Sequence, residues 1–87
     1  MSEPVIVRMW EVRGYPDRVP ELVDWVCSTA LSAVEHDPRY AGSEVYSSTD
    51  RVVVISHWRG EPEPLPEPPS ELVARPAHEW DFTPVDR

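Results

Sequence analysis

Few residues in this chain have side chains suited to chemistry. The candidate bases are its three histidines, His36, His57 and His78, since an unperturbed imidazole titrates near pH 6.5. Arg8 can hold an anion, Tyr46 carries a hydroxyl, and Trp58 and Trp80 offer flat faces on which a planar aromatic molecule could stack. Spacing sorts them, because residues two apart on a strand share a face and neighbours face opposite ways. His78 therefore shares a face with Trp80, Arg8 with Trp10, and Tyr46 with Glu44. His57 and Trp58 cannot line one pocket unless a bulge intervenes. This ordering makes His78 the candidate catalytic base ahead of His57, with Trp58, Trp80, Arg8 and Tyr46 as ligand-contacting residues. The competing reading fills the core or a subunit interface with the tryptophans and leaves each histidine hydrogen-bonded at a surface.

Other chemistries are poorly represented. The histidines have no metal-ligand spacing and Cys27 is the only cysteine, so no metal or other cofactor is expected. A haem would need an axial ligand, for which His78 is conceivable. Cys27, beside an apolar helix stripe, reads as a small core residue. Gly14, Gly42 and Gly60 form no phosphate loop, and no serine sits in a nucleophile elbow. The net charge of −8, with every cation an arginine and no basic run, argues against nucleic-acid partners and anionic membrane surfaces. No apolar run approaches the roughly 18 residues of a membrane span. The lack of a disulfide framework or a signal peptide points to the cytoplasm.

The elements that must position these residues follow from periodicity. Val5 to Val12 (VIVRMWEV) predicts a strand, with Val5, Val7 and Met9 on one face and Ile6, Arg8, Trp10 and Val12 on the other. Arg18 to about Glu35 predicts one long helix, its stripe formed by Val19, Leu22, Val23, Val26, Ala30, Leu31 and Val34. Asp17 is placed to cap it, and Pro20 is tolerated in the first turn. Glu44 to Ser48 and Arg51 to Trp58 predict a hairpin turning at Thr49-Asp50. The run Val52-Val53-Val54-Ile55 leaves its second strand no wet face. Residues 61–69, EPEPLPEPP, hold five Pro and three Glu and predict an extended, polyproline-like connector. It reads either as a proline-rich ligand for another domain or as a stiff arm across a neighbouring subunit or a pocket mouth. Ser70 is placed to cap a helical turn over Glu71 to Arg75, which Pro76 stops. His78 to Val85 predicts the last strand. The order is the βαββαβ of an α+β, ferredoxin-like domain over residues 1–87, with a four-stranded antiparallel sheet and a reduced second helix. Such a sheet has helices on one face only. Because the first and third strands are apolar on both, a twin subunit is expected over the other.

The run AGSEVYSSTDRVVVISHWRG resembles the second and third strands of the antibiotic biosynthesis monooxygenase family, the dimeric α+β barrel proteins. There a Gly-small-Glu-hydrophobic strand, a turn with Asp and a valine-rich strand ending in Trp recur. VIVRMWEV followed by PDRVPELVDWV fits the first strand and helix, so the resemblance spans roughly residues 5 to 60. It implies a homodimer with a pocket between sheet and helices, and a role for Trp58 as the strand-three tryptophan. It also implies a cofactor-independent oxygenase acting on an aromatic or quinone-type metabolite, which would need a base to deprotonate a phenolic substrate and a group to stabilise the anion. Oxygenases of this type commonly use an Asn, which this chain lacks, and the pocket-closing second helix is replaced by EPEPLPEPPSELVARP. Those departures favour an alternative: a non-catalytic homodimeric module that binds a small ligand or supports a neighbouring protein.

Overall fold

The computed structural model describes residues 4–87; residues 1–3 of the expected domain lie outside the described residues. Four strands, β1 (Val5–Arg13), β2 (Tyr40–Ser47), β3 (Arg51–Arg59) and β4 (His78–Phe82), form one antiparallel sheet in the order β2-β3-β1-β4. This is the ferredoxin-like α+β arrangement, with β1 and β3 central. Between β1 and β2 the chain runs through a 3₁₀ turn (Pro16–Arg18), α1 (Val19–Trp25), a π-helical segment (Val26–Ala30) and α2 (Leu31–Val34).

The helical layer covers one face of the sheet. On that face Val12 lies opposite Val52, Trp10 opposite Val54, and Ile6 opposite Trp58. Trp10, Val12, Val52 and Val54 are buried with Val19, Leu22, Val26 and Leu31 in one core cluster. Leu22, Val26, Ala30 and Val34 recur at four-residue spacing along the buried side. Cys27 comes next after Val26 and so sits about 100° around the axis. The expectation of a core cysteine is therefore corrected, because Cys27 is exposed.

Element ends differ where the backbone is claimed by other partners. Asp17 lies inside the 3₁₀ turn that runs into α1, and neither element has a side-chain cap. Ser70 likewise opens a 3₁₀ turn, Ser70–Leu72, instead of capping a helix. That turn stops before Arg75 because Val73 bridges to Gly14 and the Ala74 N–H donates to the Arg13 carbonyl at 2.8 Å. β4 ends at Phe82, opposite Val7. Pro84 has no N–H with which to extend the ladder. β2 starts earlier than predicted, at Tyr40, with a bulge between Tyr40 and Gly42.

The opposite face of the sheet carries Val7, Met9, Val53, Ile55, Tyr46, Trp80 and Phe82, and among the described residues no second layer lies over it. The molecule is 47 × 28 × 17 Å, and its shortest dimension matches one sheet plus one helix layer.

Gly14 closes the fold at the end of β1. Its N–H donates to the Asp50 carbonyl at 2.8 Å, and a Cβ added there would lie 2.8 Å from Leu22 Cδ2 and 3.2 Å from the Leu72 carbonyl oxygen. The Leu72 carbonyl is backbone and cannot swing away. Gly14→Ala is expected to lower unfolding free energy by about 1–3 kcal/mol, the usual cost of overpacking, read as a lower urea midpoint. An unchanged midpoint would show that this junction is loose.

Candidate functional site

A groove of about 530 Å³ lies between the β1–β4 side of the sheet and the segment that follows β3. That volume falls within the range of small-molecule sites. Trp10, on the helix-facing side of β1, borders it only with the little of its side chain that is exposed, 4%. Pro64, Leu65, Pro66 and Pro68 of the connector form its wall, Val73 to Ala77 continue it, and His78 and Glu79 of β4 complete the rim.

The connector holds this shape for identifiable reasons. Leu65 packs on the core, Leu72 is buried in it, and Val73 and Ala77 pack against it. Between these anchors the prolines restrict the backbone. At the upstream end Arg39 ties the connector down, with Nη2 at 3.2 Å from Glu63 and a shorter 2.8 Å contact to Asp37 Oδ2. Arg39 also holds the Asp37 carboxyl down at about 2, through its side chain first and its backbone N–H second. The sequence placed a stiff arm near a pocket mouth as one of two readings, and the connector does line the groove.

The sheet separates the residues expected to form the site. Trp58 faces the helices and is 1% exposed; its indole N–H donates to Ser56 Oγ at 2.8 Å, and its ring meets Tyr40 edge-on at 5.5 Å. Trp58 does not line the groove. Arg8 also faces the helical side, where Nε and Nη2 donate to Asp81 at 2.7 and 3.0 Å and Glu79 lies at 3.5 Å. It thereby fastens edge strand β4 to β1. Tyr46 and Trp80 occupy the uncovered face, where Trp80 is 46% exposed and stacks on His78 at 6.1 Å. Of the expected site residues, His78 is the one on the groove wall. His57 lies on the uncovered face, its Nε2 at 3.1 Å from both Glu44 carboxylate oxygens.

Trp10 is the groove residue that the sequence reading left out of the site. The signal was present: it shares the Arg8 face of β1, next to the edge strand beside which a degraded second helix leaves room. The groove thus combines a rigid proline wall, the small edge of Trp10 that stays 4% exposed, and His78 at the rim, which suits a small, largely apolar molecule. Among the described residues no cluster of three or more His, Cys, Asp or Glu could hold a metal ion, and no helix is long and apolar enough to cross a membrane.

The fold is similar to that in the structure of Rv0793 from Mycobacterium tuberculosis, with a TM-score of 0.68 and 13% sequence identity over 95% of this chain and 97% of that chain. At that identity the likeness shows the fold, and activity has to be argued from the site. No protein-family model and no curated protein matches the chain.

The Arg8–Asp81 pair gives the groove edge a pH dependence. The hydrogen bond from Arg8 lowers the Asp81 pKa in the folded state, against a smaller opposing effect of burial. A lowered carboxylate pKa contributes stability that is full above the unfolded value near 4 and is lost as pH falls through the folded value. Urea midpoints are expected to fall on acidification below about pH 4. Asp81→Asn should show a lower midpoint at pH 7 and a shallower acid decline; parallel curves for the two proteins would remove the pair from the account.

Proposed function

We propose that this chain is a distant relative of the antibiotic biosynthesis monooxygenase-like proteins that pairs as a homodimer and binds a small, largely apolar molecule in the groove beside Trp10. The observation carrying this reading is the groove itself, with its proline wall and a histidine at its rim. The same geometry argues for binding first, because the ionisable residues expected to cooperate in catalysis are divided between opposite faces of the sheet.

Pairing is supported by the uncovered sheet face. Trp80 and Phe82 are 46% and 53% exposed there, next to Val7, Met9 and Ile55. An apolar face of this kind is disfavoured in water and marks an interaction surface. A domain of 87 residues also gains more from pairing than a large one, because it buries a smaller share of its chain alone. Sedimentation at micromolar concentration should give twice the 10.0 kDa chain mass. Ile55→Glu, at the centre of the face, should give the monomer. A wild-type monomer at tens of micromolar would refute the pairing.

A second, catalytic reading rests on His78, which borders the groove while its ring stacks on Trp80. There it can take a proton from a phenolic or anthrone-type ligand. The resulting carbanion could react with dioxygen, turning a methylene into a carbonyl and releasing water, with no external reductant. One experiment separates the readings. Binding of the neutral probe N-phenyl-1-naphthylamine is followed by fluorescence and by the Trp10 indole NMR cross-peak. Oxygen uptake is then measured with hydroquinones and anthrones. Binding with uptake that drops at least tenfold in His78→Ala supports catalysis. Binding without uptake leaves the binding module. A Trp10 signal that never moves overturns both.

A further inference from the structure

We infer that pairing across the uncovered sheet face is linked to protonation of His57: a second copy of this chain encloses His57 with Glu44, and the subunit contact tightens as pH falls from about 8 to about 6. This names the regulation of the pairing proposed above and rests on that reading. Both residues lie on the uncovered face. Glu44 of β2 stands opposite Ile55 of β3, and His57 is two residues beyond Ile55 on the same strand. The imidazole Nε2 is 3.1 Å from each Glu44 carboxylate oxygen. An ionised carboxylate only accepts, so the ring nitrogen between the two oxygens is the one that carries the proton. The two side chains are 38% and 47% exposed in the single subunit. Val7 lies opposite His57 on β1. The pair therefore borders the apolar patch of Val7, Met9, Ile55, Trp80 and Phe82 that a second copy would cover.

The sign follows from what pairing removes. In the single subunit water solvates the Glu44 carboxylate, and a charge on His57 adds little, as at any exposed pair. Covering the face takes that water away. A carboxylate left with a neutral ring is then an enclosed, uncompensated charge, whereas with an imidazolium it is half of a neutral pair. The paired state thus favours the charged ring more than the free subunit does, and the state that binds the extra proton gains population as pH falls. Imidazole changes charge between pH 5 and 8, so it suits this role. Arg59, two residues along β3 on the same face, opposes the charge on His57, but it is exposed at the strand end, where its guanidinium can reach water. The other charged groups of the face stand at its far end, with Arg13 opposite Arg51 and Glu11 opposite His78. There Arg13, Arg51 and Arg75 share one depression with His78, so a proton on His78 is opposed and that ring is a poor switch. Charge also favours a second copy as the occupant. On this face Arg13, Arg51 and Arg59 are set against Glu11 and Glu44, so the face does not carry the chain's net charge of −8. Two copies can meet there with the acidic helix and connector turned outward, and each proton taken up lowers the remaining repulsion.

The test is sedimentation equilibrium of the full chain over a micromolar concentration series, at about pH 8 and about pH 6 and constant ionic strength. The dimer dissociation constant of the wild type is expected to fall at least about fivefold on acidification. His57→Gln keeps a donor for Glu44 but has no proton to gain, so its constant should hardly move between the two conditions. Glu44→Gln should invert the sign: an enclosed imidazolium then has no carboxylate, and acidification weakens pairing. A residue with a merely structural role would shift the constant at both pH values and leave its slope alone. A wild-type dimer with the same constant at both pH values would overturn the proton link and leave the pairing reading standing. So would equal slopes for the wild type and His57→Gln, or a Glu44→Gln slope of the wild-type sign. A wild-type monomer at both pH values and tens of micromolar would overturn the pairing reading and this one with it.

Discussion

One helical segment has to cover a four-stranded sheet, and most of the molecule follows from that mismatch. A helix with its side chains is about 10–12 Å across, whereas neighbouring strands lie about 4.8 Å apart. A single helix therefore covers two strands well. Here α1 packs chiefly over β3, reaching β1 through Leu22 and Val26 in the shared core. The β1–β4 side would be bare without the chain that returns after β3. A regular second helix would fill it. A proline-rich connector fills it incompletely, because extended polyproline backbone is thin and has few side chains to press inward. The groove is the space left over, and Trp10 is the core residue that this shortfall leaves at its edge.

The connector's composition therefore has a structural rationale. Proline limits the conformations the unfolded strap would otherwise sample, so ordering it costs less entropy than ordering a flexible loop. Its acidic residues keep it hydrated and, at Glu63, give Arg39 a handle. Leu65 and Leu72 do the anchoring. The strap is firm at both ends, and the groove is largely preformed.

Much of this was legible in the residues. Apolar periodicity placed every strand and the helical stripe within a few residues, because those patterns report burial directly. Period-two logic also separated His57 from Trp58 and joined His78 to Trp80. The grouping of site residues was less legible. Arg8, Trp58, Trp80 and Tyr46 each satisfy a local criterion for ligand contact, but the sheet stands between the first two and the last two. Which face belongs to the groove depends on where the connector crosses, a long-range fact that strand patterns do not carry. The fate of Trp58 turned on Ser56, whose hydroxyl satisfies the indole N–H inside the core and removes any need for an outside partner. Cap positions failed for a related reason: Asp17 and Ser70 have the right chemistry, but the backbone around each was already turning.

Strand β4 is where these strands of argument meet. It is exposed along its whole length and is held by its ladder to β1 and by the Arg8–Asp81 pair. One of its faces presents Glu79 to the groove, and the other presents Trp80 and Phe82 to the uncovered sheet face, with His78 at the corner between them. An edge strand with so little burial is among the least stable parts of a fold, so anything that covers Trp80 and Phe82 stiffens the groove wall behind them. A subunit docked on the sheet face would do this without touching the ligand. On the proposed reading, binding and pairing would be thermodynamically linked through β4: each would order the strand, and whichever came second would find it already ordered.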